Sequence, residues 1–164
     1  MVHEDGYRVV VSTIILNKEK KVMMCEHVWI DDAWQFPQGE IEEGETGEIT
    51  VMRELKEELG SDKFVIVGKI DKPIRYHFPH YLKNKYQMEG NVQHFFLLYY
   101  YGDESEIRFD CQKRPEFKAI KWVEYEQPPK EVIYFKKLSY LEALNTLKST
   151  VDNLNIDEIE IKNK

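Results

Sequence analysis

Apolar residues in this chain gather into short blocks separated by polar, turn-forming stretches. Val9 to Leu16 (VVVSTIIL) is strand-length and broken only by Ser12 and Thr13, which predicts a buried strand. Lys20-Lys21 turn the chain into a second strand at Val22 to Cys25. From about Gly47 to Leu59 the period lengthens to that of a helix, closed by Gly60. Phe64 to Ile70 alternates β-branched residues and predicts a strand. Val92 to Tyr101 is a strongly apolar strand, and Ala119 to Val123 a shorter one. Leu138 to about Leu154 predicts a second amphipathic helix. Residues 71–91, polar and aromatic with Pro73 and Pro79, predict a long loop over the site. Residues 155–164 are expected to fray. Strands before, between and after helices indicate mixed α/β layers in one domain spanning 1–164.

Composition narrows the function class. The 164 residues carry 42% hydrophobic and 32% charged side chains, the balance of a water-soluble globular domain. A formal net charge of −7 opposes non-specific binding along nucleic acid and argues against DNA as a partner. It still permits capture of one phosphorylated end, because a metal ion can supply local positive charge. The longest apolar run is strand-sized, so no membrane span is expected. The N-terminus has no secretory pattern, and Cys25 and Cys111 stand in no metal-type spacing. Both read as reduced thiols of a cytoplasmic protein, monomeric or dimeric.

Between Glu40 and Glu58 lie eight acids (Glu40, Glu42, Glu43, Glu45, Glu48, Glu54, Glu57, Glu58) against two bases, Arg53 and Lys56. At about 100° per residue, Ile49, Met52, Leu55 and Leu59 share one arc of the helix. Glu54, Glu57 and Glu58 share another, centred roughly 150° away. Two carboxylates about 5 Å apart repel by roughly 3 kcal/mol at an effective dielectric near 20. A solvated acidic face is the commoner reason for such a run. A divalent cation would also remove the repulsion, and an all-oxygen set suits Mg²⁺ or Mn²⁺ rather than zinc.

The surroundings decide between these. Gly39, Glu45, Arg53-Glu54-Leu55, Glu57-Glu58 and Gly60 stand at the spacing of G-x5-E-x7-REUxEExGU, with U aliphatic; only the final U differs, as Ser61. The stretch resembles the Nudix box. Beyond it, Tyr7-Arg8, Trp34-Gln35-Phe36-Pro37-Gln38-Gly39, Tyr76 with Phe78-Pro79, Gly90 with Gln93, Pro115-Glu116-Phe117 with Trp122, and Tyr134-Phe135-Lys136-Lys137 are similar to one subgroup. That subgroup holds bacterial RNA pyrophosphohydrolases and plant-type diadenosine tetraphosphate hydrolases. The resemblance implies an α/β/α sandwich with a mixed sheet between helices. It implies hydrolysis of a phosphoanhydride in a nucleoside 5′-polyphosphate by metal-activated water, the substrate being a dinucleoside polyphosphate or the 5′-triphosphate end of RNA. Glu54, Glu57, Glu58, the Gly39 carbonyl and Glu116 would hold Mg²⁺ or Mn²⁺. Arg53 would orient a metal-binding carboxylate and Glu45 would fix the loop. One of Glu54, Glu57, Glu58 and Glu116 would take the proton from water. Arg8 and Lys136 or Lys137 would meet phosphates, Phe135 would stack on a base, and Tyr76 would close the phosphate pocket, with Gln38 beside it. Phe135 and Tyr76 read equally as core, Gln38 and Gln93 as structural hydrogen-bonders, and Trp34 with Phe36 as the wall beside the site.

Four departures stand out. Glu40 replaces the second glycine of the usual PQGG and would be strained if that position takes positive φ. Thr50 replaces a small helix alanine, Ser61 the last aliphatic, and Glu26-His27 a basic pair. Glu40 and Thr50 leave open an alternative, a catalytically degenerate domain that binds nucleotide as a sensor or partner module.

Overall fold

The computed structural model describes residues 2–162. Nine strands are present among them: β1 (His3–Glu4), β2 (Tyr7–Leu16), β3 (Val22–His27), β4 (Trp34–Gln35), β5 (Gln38–Glu40), β6 (Phe64–Lys69), β7 (Ile74–His77), β8 (Gly90–Tyr100) and β9 (Phe117–Val123). The helices are α1 (Gly47–Leu59), α2 (His80–Tyr86), α3 (Pro128–Glu131), α4 (Lys137–Asn153) and α5 (Ile156–Lys162).

Strand β2 organises the sheet. It runs parallel to β8 over ten residue pairs, Tyr7↔Gly90 through Leu16↔Tyr99. It pairs antiparallel with β5 through Val10↔Glu40 and Val11↔Gly39. Strand β9 adds to β3, while β6 and β7 add to β8. The sheet is therefore mixed, and both faces are covered, which is why its central strands read as apolar throughout.

Alternation sends side chains to two cores. On one face Val11, Ile15, Met23, Cys25, Phe96, Leu98 and Tyr100 pack against Val51, Leu55 and Leu59 of α1. On the other, Ile14, Leu16, Val22, Met24, Phe95 and Leu97 pack against Tyr140, Ala143, Leu144, Leu147 and Val151 of α4. The result is the α/β/α sandwich. Phe36 stacks on Tyr140 with ring centroids 4.1 Å apart, and the Tyr140 hydroxyl accepts from the Phe36 amide at 2.9 Å. Phe36 is thus a core residue, and neither it nor Trp34 lines the cleft described below.

Three expectations are corrected. Residues 71–91 are not a loop: Ile74 and Tyr76 alternate inward on β7, and α2 follows. The tail expected to fray from 155 forms α5, with Ile156 buried, while 163–164 lie outside the described residues. Ile49, assigned to the packing arc of α1, is 55% exposed, whereas Glu58 is 2% exposed. The sheet sets which arc of α1 is covered, and it covers Val51, Leu55, Glu58 and Leu59.

Candidate active site

Helix α1 starts where Thr46 caps it, its hydroxyl accepting from the Ile49 amide at 3.2 Å. It stops at Gly60, whose φ of 72° is cheap only for glycine. A Cβ at Gly60 would also lie 2.8 Å from the Arg108 Cβ. The helix is thus fixed at both ends, and with it the heights of Glu54, Glu57 and Glu58.

Arg53 ties this helix to the loop before it. Its Nε and one terminal nitrogen donate to the two oxygens of Glu45 at 2.8 Å each, a bidentate pair. The other terminal nitrogen donates to Glu54 Oε1 at 2.9 Å and stands 3.5 Å from Glu57 Oε2. The guanidinium holds the Glu45 carboxyl down at about 2. Thr50 fits this arrangement, its hydroxyl donating to Glu45 Oε1 at 3.0 Å. Ser61 is buried and accepts from the Lys63 amide at 3.2 Å.

Glu58 is the anomaly. Both its oxygens are buried and, as a carboxylate, have no hydrogen-bond partner. Burial pushes its carboxyl well up, and the charges of Glu116 and Glu54 push it further. Burial also raises Glu54, against the pull of Arg53. An uncompensated buried carboxylate is costly, and the usual remedies are a proton, a cationic partner or a metal. Gly39 on β5 leaves room for Glu54: a Cβ there would collide with the Glu54 side chain. Among the described residues no three His, Cys, Asp or Glu side chains stand together in a geometry that would hold a metal ion as they are. The orphaned oxygens of Glu58, the close passage of Gly39 and an all-oxygen donor set fit a hard divalent cation.

Beside these groups opens a cleft of about 510 Å³. Gly39, Glu54 and Glu116 line it, together with Arg8, Gln38, Tyr76, Phe135 and Lys136. Glu116 reaches it from the turn before β9, where its carbonyl accepts from the Val28 amide at 2.8 Å. Glu57 is half-exposed at the edge of α1 and does not line the cleft.

The phosphate-facing candidates are well supported from behind. Arg8 Nε donates to Asn91 Oδ1 at 3.0 Å, and Asn91 Nδ2 donates to the Tyr76 hydroxyl at 2.6 Å. Tyr76 is buried, with its phenol pushed up to about 12, yet it reaches the cleft. Phe135 stands 5.8 Å from it, centroid to centroid, in the short 3₁₀ turn Tyr134–Lys136. Of the two adjacent lysines, Lys136 lines the cleft and Lys137 begins α4 in solvent. Enclosure by the pocket walls, and then the Arg8 charge, hold the Lys136 ammonium down at about 8. Gln38 is partly committed, accepting from Ser12 and Gln93, each at 3.3 Å.

Glu40 lies on β5 without positive φ, so the expected strain is absent. Its carboxylate accepts from Arg8 at 2.9 Å. Sequence reading missed Asn91, Leu82 and Tyr86. The i, i+4 spacing of Leu82 and Tyr86 in α2 was a signal for the last two, which enter the cleft as neighbours on one helical face.

Comparison with known proteins places this geometry. A model of the NUDIX domain matches residues 6–143. The chain belongs to the Nudix family. It is 37% identical over 154 residues to the RNA pyrophosphohydrolase of Hydrogenovibrio crunogenus, covering 91% of this chain and 93% of that one. It is 38% identical to the RNA pyrophosphohydrolase of Halorhodospira halophila, covering 90% and 83%. To the chloroplastic Nudix hydrolase 26 of Arabidopsis thaliana it is 35% identical, covering 88% and 71%. Two solved structures share the fold: the E. coli dihydroneopterin triphosphate pyrophosphohydrolase (TM-score 0.65, 21% identity, 87% of this chain and 99% of that one) and a C. elegans Ap4A hydrolase complex (TM-score 0.61, 16% identity, 88% and 99%). This Nudix hydrolase is thus one of a family that generally uses divalent cations. No helix among the described residues is long and apolar enough to cross a membrane.

Proposed function

We propose that this Nudix hydrolase is a pyrophosphohydrolase that trims the 5′-triphosphate end of RNA, using Mg²⁺ or Mn²⁺. One observation carries the reading: a single cleft sets carboxylates able to hold a cation, Glu54 and Glu116 with Glu58 behind, against two cations, Arg8 and Lys136, and the ring of Phe135. The relatives named RNA pyrophosphohydrolase, matched over nine-tenths of this chain, support RNA as the substrate class.

The divalent cation would neutralise charge building on the phosphate oxygens and make water acidic enough to attack. The protein does the rest. Arg53 holds Glu54 in place through the Glu45 loop. Arg8 and Lys136 draw the polyphosphate along the cleft, and Phe135 offers a face to the first base. One of Glu54, Glu57, Glu58 and Glu116 would take the proton of the attacking water.

A dinucleoside polyphosphate is the second reading. The net charge of −7 favours it, because a small ligand needs no contact beyond the cleft. A binding-only domain loses its support, since Thr50 and Glu40, the departures that suggested it, both have partners and no strain. The free thiols Cys25 and Cys111 go with a cytoplasmic location.

The test is direct. The protein is incubated with Mg²⁺ or Mn²⁺ and either triphosphorylated RNA or diadenosine tetraphosphate, with products identified by mass in ¹⁸O-water. Release of pyrophosphate or phosphate from RNA at the higher kcat/KM is expected. Faster cleavage of the dinucleotide selects the second reading, and no cleavage of either rejects both.

A further inference from the structure

Arg8 is prepared for an anion. Its Nε is held by the fully buried Asn91, which is held in turn by Tyr76, and its guanidinium lies 4.7 Å from the centroid of the Tyr86 ring. These three supports fix the guanidinium without help from any acid. Its side chain is only 14% exposed and lines the cleft. One terminal nitrogen, Nη1, donates to Glu40 Oε1 at 2.9 Å.

Glu40 differs from Arg8 in its freedom. Its backbone is pinned, paired with Val10 and accepting from Arg53 at 3.3 Å, but its side chain is 43% exposed. It can swing into water without disturbing β5. A glycine, which the related PQGG pattern has here, has no side chain to place on Arg8.

We propose that Glu40 is a built-in competitor for Arg8: its carboxylate pairs with the guanidinium in the resting protein, and a substrate phosphate competes with it for that charge. Glu40 is then a specificity residue, acting on ligands that place a phosphate on Arg8 and leaving the chemistry at the carboxylates alone. Displacement costs the same ion pair for each such ligand, so Glu40 weakens binding uniformly and raises KM more than it changes kcat.

The proposal rests on the reading that the cleft takes a nucleoside polyphosphate, and the experiment separates the two. A nucleoside triphosphate analogue with methylene groups at both bridging positions is titrated calorimetrically, with Mg²⁺ present, into the unaltered protein, E40Q, R8A and the double variant. Hydrolysis is blocked, so binding alone is read. E40Q should bind about fivefold tighter, the scale of a part-exposed ion pair. R8A should weaken binding more in the E40Q background than in the native one, because only there is Arg8 uncommitted. E40A, with no side chain long enough to reach Arg8, should reproduce the gain. Analogue bound by the native protein but no tighter by E40Q and E40A overturns the proposal, and so does an equal cost of R8A in both backgrounds. No binding by any of the five proteins overturns the polyphosphate reading as well.

Discussion

At the scale of single residues, the protein accepts local electrostatic cost where chemistry needs it. Glu58 is the clearest case: two buried oxygens without partners, next to two further acids. Its folded pKa is raised above the unfolded value, so its contribution to stability is fully present below the unfolded pKa and is lost as pH rises through the folded one. In chelator, E58Q should therefore melt higher than the native protein at alkaline pH, and the gap should close on acidification. Added divalent cation should raise the native melting temperature more than that of E58Q, while E58Q lowers kcat at least about a hundredfold. Thermal scans across pH, with and without Mg²⁺, test this; equal melting curves at every pH would show that Glu58 is not a buried charge.

Lys136 makes the opposite case. Its ammonium is held down at about 8 from 10.5, so the charged form costs stability below pH 8, and that cost is relieved as pH rises through the folded value. Binding has the reverse sign, because the neutral amine attracts phosphate less. We expect kcat/KM to fall as pH climbs past about 8, and K136R, which stays charged, to move that limb upward. Superimposable pH profiles for the two proteins would remove Lys136 from phosphate binding.

Elements place these residues, and here the passage of β5 over α1 matters most. Gly39 passes so close to Glu54 that a methyl group would displace the carboxylate, whereas the strand itself would be undisturbed. G39A should keep its fold and melting temperature within a few degrees. It should lose at least about tenfold in kcat and in divalent-cation affinity, the range seen when a ligand's support is disturbed. Turnover and metal titration by calorimetry, both unchanged, would show that Glu54 has room to move harmlessly.

Helix α1 was legible from sequence because its signals are local: Thr46 and Gly60 mark its ends, and the acids fall at fixed intervals between them. Its orientation was not legible. Ile49 is more apolar than Glu58, yet the sheet covers Glu58, a choice made by distant strands rather than by the helix. The stretch 71–91 was missed for a related reason. Pro73 and Pro79 argue against regular structure, and α2 has no buried residue to give it an apolar stripe. The Arg8–Asn91 and Arg8–Glu40 contacts depend on the registers of β2 with β8 and β5, which no spacing along the chain encodes. Thus the chemistry was readable as a motif, and its support was not.

The whole molecule adds one more constraint. The formal charge is −7, and the cations that line the cleft are Arg8, Lys136 and, when protonated, His27. The cleft lining holds no other Lys or Arg, so an RNA substrate should be gripped chiefly at its 5′ end. Away from that end, phosphates meet a net-negative surface, and repulsion between separated charges is screened over about 10 Å at 0.1 M salt. A protein that instead neutralised several phosphates would lose affinity steeply as salt rises. We therefore expect a triphosphorylated dinucleotide and a long single-stranded RNA to have kcat/KM values within about threefold at 0.1 M salt. Raising salt at fixed free Mg²⁺ should leave the long RNA's value level or increase it, as screening relieves repulsion. Single-turnover assays across RNA length and salt concentration measure both quantities. A strong preference for the longer RNA, falling steeply with salt, would mean that the protein holds the chain well beyond its phosphorylated end.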